Sequence, residues 1–448
     1  MMHNTWFFPR NKRKLTYLVD SLMVLNDLVV GHKFSGNKEL QFQFEDELYN
    51  KGIKNAGNLR ARNDGSGGGG ARTYFAQLKA LGLIFEETGT KNVRLTYSGE
   101  ALINGSQSFV DIMRYQLLKF QFPSNYSYTG SAAVHPKFQI HPFWFVLKLL
   151  ADERIKLLLP DELMSIVIIE ADSDSDERYE YIVSRILEYR KYGKSVLGYT
   201  LDQFGGSIKR DANGKKTSDP FYDIVNTFKC YLDSTQYIIS GESGIRLNPV
   251  YRSDVVSLVS QKRPFIQNWE QHENYQRRYG CDPCHSKDLR KFDKNEITPK
   301  EIMKNKLRTE FVTECMNNPI KEITSDLVNK ISMATGYPSN EVEKYLKETF
   351  PKGGLKGFYA RYREMAFGGQ AEATNFENAT VSLFENVFGI AAKHVGPQGN
   401  TPDIYLNFKD SCAIIDNKAY SSYSISGDHY RRMKDVYIPK YNTKQKPL

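Results

Sequence analysis

The apolar positions of this chain fall into alternating rhythms. In ARTYFAQLKALG they recur at helical spacing (Tyr74, Phe75, Leu78, Leu81), and Gly82 supplies a stop. LIFEE and VRLTY then alternate on either side of TGTKN, which predicts a two-stranded hairpin. A helix that ends in LGLI and feeds a hairpin is the pattern of a winged helix, which lays one helix in the DNA major groove and touches backbone with its wing. The same order recurs over 218–259. There DPFYDIVNTFKCYLD predicts a helix with Asp219 as N-cap and Pro220 in its first turn. QYIIS and IRLNP flank the turn GESG, and the helix SDVVSLVSQK follows.

Between these units, the aromatic- and Pro-rich stretch that contains HPFWFVLKLL reads as core rather than as a binding face. Residues 285–350 are charged, helical in pattern and low in aromatics, and read as a helical connector. PKGGLKGFYARYREMAFGGQ then carries several glycine breaks, which puts a domain boundary near 351–370. The predicted architecture is multidomain α+β. Residues 1–150 and 151–285 form tandem winged-helix recognition subdomains, 286–370 the linker, and 371–448 an incomplete PD-(D/E)xK α/β nuclease domain.

Charge narrows the partner. The net charge of +9 favours an acidic partner, with nucleic acid first among them. Arg10, Lys12, Arg13 and Lys14 suit phosphate contacts, as a solvated run would also explain. Arg60, Arg62 and Arg72 bracket GSGGGG, where glycine lets backbone approach DNA and arginine reaches phosphates or guanine edges; a loose loop ahead of the helix is the alternative. No strand precedes this loop and no GK[ST] follows, which argues against a nucleotide-phosphate loop. The N-terminus lacks a secretory h-region and no run of apolar residues is long enough to span a bilayer, so the expectation is a cytoplasmic protein with no membrane partner.

Five scattered cysteines do not make a disulfide framework. CDPCH at 281–285 matches the c-type haem pattern, but that attachment is performed outside the cytoplasm. A structural zinc site would need four ligands, and no second pair follows. A loop with reduced thiols is the preferred reading.

The chemistry concentrates in GNTPDIYLNFKDSCAIIDNKAY. IYLNF and CAIID read as strands around KDS, and with Lys409 and Asp410 at the tip Asp403 falls opposite Asp416. Opposed residues share a face, with Cβ atoms roughly 4.5–5.5 Å apart. Lys418, two residues beyond Asp416, shares that face too. Asp403, Asp416 and the carbonyl of Asn417 are hard oxygen donors suited to Mg2+. Such an ion polarises a phosphate and acidifies a bound water, while Lys418 orients or deprotonates the attacking water. Glu377, on the predicted helix FENATVSLFENVFG, offers a further metal carboxylate or simply faces solvent. The PD…[DE]xK spacing alone is degenerate, and polar residues at the mouth of a strand pair would satisfy it equally.

The wording around the triad adds to this. KHVGPQGNTPD…AIIDNKAYS resembles the cleavage domain of FokI-like type IIS restriction endonucleases, and FENATVSLFENVFG falls where that domain has its first helix. Independently, LKALGLIFEE…LTYSGEALI…LLKFQFPS…IHPFWFVLKLL resembles the recognition region of AlwI-type enzymes and their nicking relatives. The resemblance implies recognition of a short asymmetric duplex DNA site and Mg2+-dependent cleavage a fixed distance away. It implies Asp403 and Asp416 as metal ligands with Glu377 beside them, Lys418 as catalytic lysine, and a transient dimer or second subunit for double-strand cutting in a bacterial cytoplasm. After DxKAY the family nuclease continues for further strands and helices, whereas only SSYSISGDHYRRMKDVYIPKYNTKQKPL stands here. The expectation is therefore a chain that binds DNA and cleaves poorly. The alternative is a site-specific DNA-binding protein or subunit with an inactive nuclease remnant; a winged-helix regulator with an unrelated tail is a third reading.

Overall fold

The computed structural model describes residues 4–9, 15, 17–54, 68–128, 134–204, 209–210, 216–218, 220–241, 243–292, 299–396, 400–409, 411–420 and 423–441. The chain divides into two compact units, one formed by residues 1–101 and 110–296, the other by 102–109 and 297–448.

In the first unit the helices Leu18–Leu28, Lys38–Asn50 and Gly69–Ala80 precede an antiparallel hairpin, Ile84–Glu86 with Val93–Leu95, in which Ile84 faces Leu95. Single bridges from Val30 to Val93 and from Lys33 to Asn92 extend that hairpin by a short edge. Gly82 ends the third helix as the spacing predicts. Its φ of +70° lets Leu83 N–H reach back to Leu78 O at 3.0 Å and Gly82 N–H to Lys79 O at 3.0 Å. A Cβ there would lie 2.4 Å from Gln116 Nε2 and 2.8 Å from the Tyr279 ring, so close packing as well as φ demands glycine.

The later half of this unit repeats the order. The helix Pro220–Asp233 leads into the hairpin Ile238–Gly241 and Gly244–Leu247, to which Leu157–Leu158 adds a third strand, and the helix Arg252–Val259 follows. Asp219, the expected N-cap, lies outside the described residues. HPFWFVLKLL forms the buried helix Pro142–Ala151, as its unbroken apolar run requires. Phe143 stacks on Phe228 with centroids 4.7 Å apart, and Phe8 packs on both from the N-terminal segment. Burying this aromatic cluster joins segments far apart in sequence, and such rings exceed their area in worth when edge and face meet.

In the second unit, the segment read as a connector encloses a core of its own. Helices Pro299–Asn317, Ser325–Thr335 and Ser339–Thr349 close over Leu307, Phe311, Val328, Ile331, Val342 and Leu346. Thr324 caps the middle helix and Gly336, with φ +77°, stops it. Helices Leu355–Phe367 and Ala373–Leu383 then pack through Phe358, Met365, Phe376 and Ala379. An antiparallel three-stranded sheet follows, with Ile404–Asn407 central between Ala391–His394 and Cys412–Ile415. Ile404 and Leu406 are buried with Val381 and Phe384 against them, whereas the edge strand Cys412–Ile415 is at best half-buried. No helix among the described residues is long and apolar enough to cross a membrane.

Candidate active site

Strand register brings the carboxylates together. Ile404 pairs with Ile415, so the next step outward sets Asp403 across from Asp416. The carbonyl of Asp403 accepts the N–H groups of Val395 and Gly396 at 2.8 and 3.1 Å, which ties it to the neighbouring strand. Asn417 N–H donates to Asp403 Oδ2 at 2.6 Å. The Asn417 side chain donates to Thr380 Oγ1 at 2.7 Å, anchoring the strand end to the helix Ala373–Leu383.

Lys418 completes the group. Its Nζ lies 2.7 Å from Asp416 Oδ2 and 3.7 Å from Asp403 Oδ2, and donates to Asn417 O at 3.1 Å. Burial alone would lower this ammonium, but hydrogen bonding and attraction from Asp416 outweigh it and hold Lys418 above the ordinary lysine range. Asp403 moves the other way from a usual ion-paired carboxylate. Burial first, and then the Asp416 carboxylate, push it up to about 7 despite Lys418.

The far wall comes from the short helix Gly427–Arg431, capped by Ser426, whose Oγ accepts from His429 N–H at 3.1 Å. His429 Nε2 comes within 2.5 Å of Asp416 Oδ2, while Tyr423 OH meets Nδ1. That approach to Asp416 is out of line for a hydrogen bond, so the buried Nε2 has no hydrogen-bond partner. The cleft has a volume of about 610 Å³, and Thr401, Tyr420, Ser424 and Arg432 line it with the residues above.

The donor set suits a hard divalent cation. Two carboxylates and a backbone carbonyl already surround one positive charge, the Lys418 ammonium. Gly396 leaves room beside them: a Cβ at that position would lie 3.2 Å from His394 Nε2 and 3.3 Å from both Asp403 Oδ1 and Glu377 Oε2. Glu377 itself pairs with His394 at 2.6 Å. Among the described residues no group of three or more His, Cys, Asp or Glu side chains converges as a metal cluster. A cation at Asp403 and Asp416 would therefore lean on the Asn417 carbonyl and on water for its remaining oxygens.

Of the DNA-contact candidates, Arg10, Lys12, Arg13, Arg60 and Arg62 lie outside the described residues, as does Lys14. Arg72 sits in the first turn of the helix Gly69–Ala80 and donates to Gln41 Oε1 at 3.1 Å. In CDPCH, Cys281 is buried with its thiol on Arg277 O, and Cys284 is exposed. His285 stacks flat on Tyr97 at 3.7 Å and pairs with Asp282 at 2.5 Å. Three cleft residues, His429, Tyr423 and Arg432, were passed over in the sequence. Their one local signal is Ser426, whose S-x-x spacing caps a helix and turns His429 inward.

A family model described as AlwI restriction endonuclease matches residues 79–353, more than half of the chain. The chain belongs to the AlwI restriction endonuclease family. A second model, FokI cleavage domain, matches residues 336–447 and so covers the whole cleft. The enzyme is accordingly a type IIS restriction endonuclease, a DNA-binding nuclease that cleaves DNA site-specifically. None of the curated proteins matches it. Among solved structures, the BpuJ1 endonuclease binding domain in complex with pyrene- and phenanthrene-modified DNA is similar at TM-score 0.41 and 16% identity, over 62% of this chain and 96% of that one. Restriction endonuclease FokI aligns at TM-score 0.19 and 11% identity, over 84% and 69% of the two chains. Its DNA-bound form aligns at 0.18 and 11%, over 82% and 66%. These likenesses are too distant to place any residue.

Proposed function

We propose that this endonuclease reads a short asymmetric duplex site with its first unit and hydrolyses a phosphodiester a fixed distance away in the cleft of Asp403, Asp416 and Lys418. In this reading the two helix–hairpin orders are tandem winged helices spanning 1–150 and 151–285, residues 286–370 are the linker, and 371–448 carry a PD-(D/E)xK nuclease. The observation that carries it is the convergence of opposed carboxylates and a charged lysine at one sheet edge, in a cleft wide enough for a phosphodiester.

Asp403, Asp416 and the Asn417 carbonyl would hold Mg2+, with Glu377 close enough to steady the site through His394 or to join it. The ion, when bound, would offset the charge on the phosphate undergoing attack. Because Asp416 keeps Lys418 protonated, the lysine orients the attacking water or a phosphate oxygen by donating to it, rather than by taking a proton. Arg432 and Tyr420 stand where they can meet the strand that enters the cleft. Arg72, with Arg10, Lys12, Arg13, Arg60 and Arg62, would contact the duplex. Cutting both strands would call on a transient dimer or a second subunit, in the bacterial cytoplasm. Cleavage by these 448 residues is expected to be slow, since Asp416 follows the half-exposed edge strand, and a catalytic group needs rigid support on every side.

Run-off sequencing of a plasmid digested with Mg2+ tests the reading. Cleavage at one fixed offset, lost by at least about 10²-fold in Asp416→Ala while site binding persists, is the expected result. Binding without any cutting by the wild type would leave only a DNA-binding protein. Cutting that survives Asp416→Ala would move the active site elsewhere.

A further inference from the structure

After CDPCH the chain runs through SKDLRKF, a stretch in which four of seven residues are charged. In isolation it reads as a solvated loop. The structure instead holds it in place from within. The Asp288 side chain is fully buried and takes hydrogen bonds from Arg277 Nη2 at 3.2 Å, Arg290 Nε at 2.9 Å and Arg290 Nη2 at 2.7 Å. Burial would raise this carboxyl, but Arg290 outweighs it and holds Asp288 below the usual carboxylate range. Arg290 continues to Leu95 O at 3.0 Å and to Glu100, and its guanidinium lies 4.0 Å over the Tyr97 ring. Arg277 reaches Glu273 at 2.9 Å.

Two arginines are thus consumed by Asp288, Glu273 and Glu100 in building the loop. Three other cations remain on its outer side. Arg278, Lys287 and Lys291 are exposed and have no carboxylate partner among the described residues. They line a groove of about 620 Å³ with Asn274 and Ser286, and Leu289 stands between Lys287 and Lys291 with 80% of its surface exposed. The buried ion-pair network holds the loop in place while an apolar tip stands between cations that have no carboxylate partner among the described residues. The same network costs little ordering entropy when a partner arrives.

We propose that this groove is a phosphate-backbone clamp for the duplex: Arg278, Lys287 and Lys291 neutralise phosphates, and Leu289 lies against the sugar edges between them. The inference rests on duplex DNA being the substrate and assigns a contact surface outside the two helix–hairpin orders, on the helix His272–Tyr279 and the loop after it. Charge complementarity commits it to DNA, since the groove's outward side chains are cationic and its acids are already paired internally.

The test is the salt dependence of binding by the full chain to a site-bearing and a site-free duplex. Each lost phosphate contact removes about 0.9 from the slope of log K against log salt. The Arg278→Ala/Lys287→Ala/Lys291→Ala variant should lower that slope by about 2–3 and weaken both duplexes about 10- to 100-fold alike, so that their ratio is kept. Leu289→Ala should weaken both while leaving the slope unchanged. Lys330→Ala/Lys347→Ala, on exposed faces of the helical bundle, controls for the loss of positive charge in general. An unchanged slope in the triple variant, or an equal loss in the control, overturns the clamp and leaves the groove to an acidic protein or to solvent. A wild type that binds no duplex would overturn the substrate reading itself, and the clamp with it.

Discussion

In the first unit, buried Gln116 and Gln121 and half-buried Lys119 hydrogen-bond to the backbone around them. Gln116 Nε2 donates to Leu81 O at 3.0 Å and Tyr279 O at 3.1 Å, while its Oε1 accepts from Ser98. Lys119 donates to Tyr279 O at 2.6 Å and Cys281 O at 2.7 Å, and Gln121 both donates to Ile266 O and accepts from Ile266 N–H. In the second unit the polar groups at the mouth of the Asp403–Asp416 hairpin are left in conflict. Asp403 and Asp416 repel, the Asp403 carboxyl is pushed up to about 7, and His429 Nε2 is buried with no hydrogen-bond partner. One cluster staples three chain segments together and would gain nothing from a ligand. The other is arranged so that a cation would relieve it. The first cluster is closed by its own hydrogen bonds, whereas the second brings two carboxylates together as a cation site would.

The largest effect should come from breaking the satisfied cluster. Lys119→Met removes the donor to Cys281 O and leaves Tyr279 O with Gln116 alone, at a cost of about 1–3 kcal/mol, read from thermal or denaturant unfolding. The sign with pH is definite. Burial drops folded Lys119 to about 7, below its unfolded value, so the unfolded chain binds more protons between the two and wild-type stability should rise with pH across that window. The Met variant should lose that rise.

Gly396→Ala probes the strained cluster without touching its charges. An added Cβ at 3.2–3.3 Å from His394, Asp403 and Glu377 forces them apart by a few tenths of an ångström. The Mg2+ needed for half-maximal cutting should increase about tenfold, with DNA affinity unchanged. Unchanged metal dependence would show that the gap beside Gly396 plays no part.

The smallest effect is a gain. Asp403→Asn should stabilise the metal-free protein at pH 8 by ~1 kcal/mol, discounted for the solvent that reaches the cleft. Folded Asp403 titrates above its unfolded value, so its protonated form favours folding below about pH 4, and that contribution is lost as pH rises through about 7. The variant and wild type should therefore converge in acid. A variant less stable than wild type at pH 8 would mean the two aspartates are not in conflict.

Much of the local structure was legible in the chain. The Gly82 stop, both hairpins, the buried HPFWFVLKLL helix and the opposed strands of the Asp403–Asp416 hairpin follow from periodicity and turn residues, because neighbours within a dozen positions decide them. The core of the helical connector was less legible: Leu307, Ile331 and Leu346 form a surface only when three helices meet. Within the site, DxK spacing announces Asp403, Asp416 and Lys418 as a group. Nothing in SGDHYRR announces that His429 returns to Asp416, and a lone histidine in a polar run carries no period to read.

By itself, then, the sequence determined which side chains share a face, since strand alternation and a short turn leave the hairpin few other registers. It determined the family as well, through wording spread over both units. Tertiary structure alone decided the state of those side chains. Burial and the Asp416 carboxylate raise Asp403, Asp416 keeps Lys418 protonated, and Arg277 and Arg290 pair with Asp288 while Arg278, Lys287 and Lys291 face out. Those are properties of surroundings gathered from distant parts of the chain, and electrostatic energy depends on distance in space rather than on order in sequence.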